Sequence, residues 1–175
     1  AYFATCFAVD ANIVLTFSEA VDVESGNITL KKSSDDSTVE SINVTSGLIT
    51  GTGTNQITIN PATTLDSSTG YYLNIDATAF DDGSSNSYAG ISDKTELNFT
   101  IVDIINPTLS SSTPANDATG VAVDANIVLT FSEAVDVESG NITLYKSSDN
   151  SIIETIDVTG SLVTGTGTTT ITFNP

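Results

Sequence analysis

The residues able to do chemistry in this chain are carboxylates. Of 175 residues, 22 are Asp or Glu, 4 are Lys, and none is Arg or His, which leaves a formal net charge of −18. Two stretches concentrate the acids. Residues 18–26, SEAVDVESG, carry Glu19, Asp22 and Glu24, and residues 81–93 carry Asp81, Asp82, Asn86 and Asp93. Hard oxygens gathered on loops suit Ca²⁺, which takes about six to eight oxygen ligands, some from backbone carbonyls and water. No run of the D-x-D-x-D-G kind occurs, so a solvated acidic surface suited to high salt or solubility is the competing reading. Paired carboxylates also serve glycosidases, which hold them across a sugar cleft. Small sandwich-like repeats rarely enclose such a cleft, and many of the 5 Tyr and 7 Phe fall at core-like positions, so no catalytic residues and no enzyme are expected.

What is missing narrows the chemistry further. Without His, and with the single cysteine Cys6, the chain builds no His-based triad, no Cys/His zinc site and no internal disulfide. Cys6 reads as a small apolar residue or a lone thiol, since no base is present to activate it. The only cations, Lys31, Lys32, Lys94 and Lys146, offer no guanidinium fork and no basic patch, which excludes nucleic acid and anionic membrane surfaces as partners. Lys32 and Lys146 occupy equivalent positions, where solvated side chains are expected rather than an isopeptide crosslink. Residues 1–9 are apolar, but they have no basic segment before them and an Asp directly after. They are expected to be neither signal peptide nor membrane span, so any targeting segment is expected outside this chain. Composition points to an extracellular or cell-surface setting.

Behind these residues stands an internal repeat. Residues 4–61 align with residues 118–175 at a constant offset of 114 without a gap, with 44 identities in 58 positions. The run AVDANIVLTFSEAVDVESGNITL at residues 8–30 recurs unchanged at 122–144. A period of about 114 is too long for a solenoid and fits one small domain. Prolines and serines in residues 102–114, VDIINPTLSSSTP, mark the junction. The expected domains are therefore 1–105, lacking its first strand, and 106–175, lacking its last strands. A longer tandem array is expected, or else strands of neighbouring copies that complete each domain.

Alternation of period two predicts half-buried strands at residues 13–17, 27–31, 39–44, 56–60, 71–75 and 97–101, with residues 108–112 as the first strand of a repeat. Turn-rich stretches at 33–37, 66–70 and 81–87 separate them, and no helical periodicity competes. Seven strands in roughly 100 residues is the count of an immunoglobulin-like Greek-key β-sandwich, an all-β fold. In that fold Tyr71, just after the 66–70 turn, places its ring in the core and its hydroxyl on backbone.

The segments PTLSSSTPANDATGVAVDANIVLTFSEAVD (107–136), LDSSTGYYLNI (65–75) and DDGSSNSYAGISDKTELNFTI (81–101) resemble the tandem bacterial immunoglobulin-like domains of surface-layer proteins and large adhesins. Together they span almost a full period. The resemblance implies a structural or adhesive segment of a long bacterial surface protein, a semi-rigid stalk or fibre stiffened by calcium. Immunoglobulin topology brings the two acidic loops to one end of a domain. It also sends Asp103 toward the loop of Glu133, Asp136 and Glu138 in the next repeat, where an ion would fix the interdomain angle. The metal candidates are thus Glu19, Asp22, Glu24, Asp81, Asp82, Asp103, Glu133, Asp136 and Glu138. Adjacent repeats or neighbouring copies are the expected partners. Two alternatives are a filament subunit completed by strands of its neighbours, and an accessory module of a secreted hydrolase that binds a surface glycan. The threonines at 164, 166, 168, 170 and 172 would offer a polar face for such binding, but read more simply as a hairpin bent at Gly165 and Gly167.

Overall fold

A computed structural model describes residues 4–175, with side chains from Phe7 onward. Residues 1–3 and the side chain of Cys6, a lone thiol in the sequence reading, lie outside the described residues. The chain divides into two compact units, Ala1–Ile105 and Asn106–Pro175. Both are built of strands and turns, without a helix among the described residues.

In the first unit the strands are β1 (Ala4–Phe7), β2 (Ile13–Val23), β3 (Asn27–Lys32), β4 (Thr38–Asn43), β5 (Ile49–Thr50), β6 (Thr54–Ile59), β7 (Gly70–Ile75), β8 (Phe80–Asp82) and β9 (Asn98–Ile101). One sheet has the order β1-β9-β7-β3-β4 and the other β5-β6-β2-β8. The β1 and β9 strands run parallel, while the remaining pairs are antiparallel. This is the predicted immunoglobulin-like sandwich. Alternation decides which side chains fill it. Ile28 and Leu30 on β3, Ile57 and Ile59 on β6, Tyr71, Leu73 and Ile75 on β7, and Phe99 and Ile101 on β9 point into one shared core.

Tyr71 behaves as its position after the turn predicts. Its ring is 1% exposed, and its hydroxyl accepts the backbone N–H of Asp66 at 3.0 Å. Tyr72 breaks the inside-outside rule, for it is buried on the opposite face of β7. There Lys31 lies over its ring at 5.8 Å and its hydroxyl donates to Asp36 at 3.1 Å, so a salt-rich surface covers an aromatic side chain.

The second unit contains β10 (Leu109–Thr113), β11 (Ile127–Val135), β12 (Asn141–Tyr145), β13 (Ile152–Asp157), β14 (Val163–Thr164) and β15 (Thr168–Phe173). Its sheets are β10-β11-β15-β14 and the pair β12-β13. Ile156, Ile171 and Phe173 are buried, while Leu109, Val123, Ile152 and Ile153 are exposed. The β11-β15-β14 arrangement repeats β2-β6-β5 of the first unit, register for register: Ile127 pairs Phe173 as Ile13 pairs Ile59.

The structure corrects one expectation about the acidic stretches. The sequence pattern puts residues 18–26 and 81–93 on loops, which holds for 24–26 and 83–93 but not for the residues before them. Instead β2 continues to Val23, so Glu19 and Asp22 stand on a strand, and Asp81 and Asp82 belong to β8. A register shift between Thr16 and Val21 breaks the period-two pattern at Ser18–Ala20 and hides the continuation from sequence reading.

Candidate functional site

The two acidic segments of the first unit do meet, as paired strands. Strand β8 binds the last third of β2 antiparallel, with Val21 opposite Asp82, Asp22 opposite Asp81 and Val23 opposite Phe80. Residues directly opposite in such a pair share a sheet face, with Cβ atoms about 4.5–5.5 Å apart. Asp22 and Asp81 are therefore two carboxylates side by side. The turn from β2 to β3 is tied to the same end of the unit: Glu24 N–H donates to Ala79 carbonyl at 3.0 Å and Ser25 N–H to Thr78 carbonyl at 3.1 Å. Asp76, which the sequence reading passed over, accepts the Asn27 N–H at 2.8 Å. Gly26 lies beneath it with φ of 120°, where a Cβ would come within 2.9 Å of the Asp76 Cβ.

Several carboxylates in this region are already occupied with local structure. Asp22 accepts the Thr52 hydroxyl at 3.2 Å, and Thr52 in turn accepts the Val23 N–H at 3.1 Å. The second unit repeats the clamp: Thr166 donates to Asp136 at 3.3 Å and accepts the Val137 N–H at 3.0 Å. Both clamps seal a turn with positive-φ glycines, Gly51 and Gly53 in one case and Gly165 and Gly167 in the other. Asp82 organises the turn after β8. One of its oxygens accepts the Ser84 and Asn86 N–H groups, each at 2.8 Å, and the other takes the Asn86 side-chain amide at 2.8 Å. These bonds hold its carboxyl below the usual value, the Asn86 side chain contributing most.

The other candidates stand on separate elements. Glu19 is exposed on β2, and Glu24 is exposed in the short connection after it. Asp103 sits beside the 66–70 turn, where it accepts the Ser67 hydroxyl at 3.1 Å and the Ile105 N–H at 2.9 Å. In the second unit Glu133 is half-buried on β11, while Asp136 and Glu138 are exposed just beyond its end. Among the described residues no three acidic or cysteine side chains gather where they could hold one metal ion. The cause is geometric. Neighbours on a strand, such as Asp81 and Asp82, point to opposite faces, so the four acids on β2 and β8 cannot all converge. The donor set fits a hard cation in kind, but it supplies two facing carboxylates rather than a cage.

Two further acids, missed in the sequence reading, hold two of the four lysines. Lys32 meets Asp66 at 2.8 Å and Lys94 meets Asp36 at 3.2 Å. The Lys32 hydrogen bond holds the Asp66 carboxyl below its ordinary value and raises Lys32 above its own. Lys32 is thus an ion-pair partner, in line with a surface lysine rather than a crosslink. The threonine row is interrupted: Thr164 pairs across the hairpin with Thr172, and Thr166 sits in the turn.

No helix among the described residues is long and apolar enough to cross a membrane. Comparison with the curated proteins found no match. The family profile described as bacterial Ig-like domain matches residues 1–101 and again 103–175. That family is structural rather than enzymatic, and its members typically occur in bacterial surface proteins. On this match, and with the sandwich of the first unit as its physical counterpart, the chain belongs to the bacterial Ig-like domain family.

Proposed function

We propose that this chain is a load-bearing repeat segment of a bacterial surface or extracellular protein, a semi-rigid stalk or fibre, and that it performs no catalysis. The observation that carries this reading is the tandem repeat of one structural domain whose turns, glycines and Asp–Thr clamps recur at the same offset. A catalytic domain has no need to duplicate its scaffold in this way, whereas a spacer gains length with each copy. The net charge of −18 keeps such an array soluble and self-repelling.

Calcium enters as the stiffening ion. Its support is the facing pair Asp22 and Asp81, like charges that destabilise a strand pair unless a cation lies between them. Two carboxylates completed by carbonyls and water suit the weak class of extracellular calcium sites, with Kd of about 10⁻⁴–10⁻³ M. The ion would draw the end of β2 and strand β8 together and resist their parting under tension. Small-angle scattering of the chain with calcium and with chelator tests the mechanical part: a longer, narrower distance distribution with calcium supports it, and identical curves contradict it.

A further inference from the structure

One dipeptide in the chain places glycine directly after an acid or amide side chain, Asp82–Gly83. Glycine has no Cβ to crowd its nitrogen, so that nitrogen is free to attack the carboxyl carbon of the preceding aspartate. An N–Cγ bond forms and closes a succinimide ring. One carboxyl oxygen leaves as water, carrying the Gly83 amide proton and one proton from solvent. Water then opens the ring at either carbonyl, and opening at the main-chain carbonyl routes the backbone through the side chain as isoaspartate. No oxidant, metal or second substrate enters the balance. The surroundings offer no shelter: Gly83 is exposed, and nothing lies within 4 Å of the place its Cβ would take.

What holds the reaction back is the turn after β8. Oδ1 of Asp82 accepts the Ser84 and Asn86 N–H groups, each at 2.8 Å, and Oδ2 accepts the Asn86 side-chain amide at 2.8 Å. The main chain is tied as closely: Asp82 N–H donates to the Asn86 carbonyl at 3.1 Å, and Ser85 N–H donates to the Asp82 carbonyl at 2.9 Å. Ring closure makes Cγ tetrahedral and expels one of its oxygens. Whichever oxygen leaves, its hydrogen bonds are lost with it. Four other aspartates that hold turns are bound less fully. Asp35, Asp93, Asp149 and Asp157 each use one oxygen, which accepts the N–H and hydroxyl of the residue two further on. Each of these is followed by a residue with a side chain. Of these turn-forming aspartates, the one bound at both oxygens is the one that precedes glycine.

We propose that Asp82–Gly83 is an isoaspartate-forming site that the 82–86 turn keeps closed in the folded chain. This goes beyond a spacer's role, since it gives the segment a point of chemical ageing. Rearrangement adds a methylene to the backbone where Asp82 faces Val21, next to Asp22 and Asp81, so the register of β8 on β2 is lost. The test is prolonged warm incubation of the full chain at neutral pH in chelator, folded and in guanidinium chloride, with isoaspartate at residue 82 read by enzymatic methylation and peptide mapping. Isoaspartate is expected to build up in the unfolded chain, and at least about tenfold more slowly in the folded one. Asn86→Ala, at an exposed position, removes the donor to Oδ2 and should speed the folded reaction at least about fivefold. A melting curve checks that this variant is folded, and the comparison of folded with unfolded parent chain stands without it. Gly83→Ala, whose Cβ meets no neighbour, should suppress the product in every sample. Equal rates in folded and unfolded chains overturn the guard, and so does an Asn86→Ala rate equal to that of the parent. Product undiminished in Gly83→Ala, or no isoaspartate at residue 82 even in guanidinium chloride, overturns the site. Because no calcium is present in any arm, failure here is separate from failure of the calcium-stiffened stalk.

Discussion

Asp22 and Asp81 face each other across the antiparallel pairing of β2 with β8, two carboxylates in direct cross-strand register with no arginine anywhere in the chain to neutralise them. Like charges so placed repel by roughly 0.2–1 kcal/mol. Replacing one should therefore help the chain when no divalent cation is present. Asp81→Asn is expected to stabilise the first unit by a few tenths of a kcal/mol, about 0.5, in chelator, and to remove most of the calcium response. Paired denaturant titrations with and without calcium measure both. Destabilisation in chelator would show that the pair is held by something other than a cation.

The Asp–Thr clamp predicts matched effects in the two repeats. Thr52→Val and Thr166→Val each remove the acceptor for a backbone N–H at the end of a long strand. Each is expected to cost about 1 kcal/mol, within its own unit. Hydrogen exchange at Val23 and Val137 should accelerate in the corresponding variant and not in the other. Unchanged protection at both amides would mean that the clamp is incidental.

Tyr71 links the core to the 66–70 turn. Tyr71→Phe keeps the ring and loses the acceptor for the Asp66 N–H, with an expected loss of about 1 kcal/mol. Phe80→Ala, which empties a fully buried aromatic site, should cost about 3–5 kcal/mol. Urea denaturation separates them. Equal effects would contradict the division of labour between hydroxyl and ring.

Much of this was legible in the residues themselves. The alternation in residues 13–17, 27–31, 56–60 and 71–75 is strong because each strand has one face in the core, and those strands lie where the pattern puts them. The role of Tyr71 followed from a turn just before an alternating run. Four things were not legible. Strands β1, β5 and β8 have 4, 2 and 3 residues, too few for a period to show. The bulge after Thr16 disguised the acidic end of β2 as a loop. The facing of Asp22 with Asp81 depends on a register that only the long-range pairing of β2 with β8 sets. The clamps of Thr52 and Thr166 are likewise contacts between residues 30 apart, which composition cannot foresee.

Acid should affect stability in two opposed ways. Between pH 7 and about 5, partial protonation reduces the repulsion from the net charge of −18, so the melting temperature should hold or rise. Asp35, Asp36, Asp66, Asp82 and Asp93 have carboxyls lowered mainly by hydrogen bonds to Ser37, Lys94, Lys32, Asn86 and Thr95 in turn. A lowered folded-state value gives stability that is present above the unfolded carboxylate value of about 3.9 and is lost as pH falls through the lowered value. The first unit should thus lose stability below about pH 4. Asp82→Asn should flatten that acid limb. Lys32, raised by its Asp66 bond, works in the other direction: its contribution is full below the ordinary lysine value and is lost as pH rises through the raised one. A melting profile that falls steadily from pH 7 to 5 would contradict this account.

The most direct test of a calcium-stiffened structural repeat is scanning calorimetry of the full chain in calcium, in magnesium at equal ionic strength, and in chelator. Binding to the folded state alone at ten times Kd adds about 1.4 kcal/mol, a rise of roughly 6 °C for a unit of this size. The account predicts that rise in calcium for the first unit, a smaller one in magnesium, and its loss in Asp81→Asn. Identical melting curves in calcium, magnesium and chelator would contradict it, and would leave the acids as a solvated surface on a bacterial Ig-like spacer.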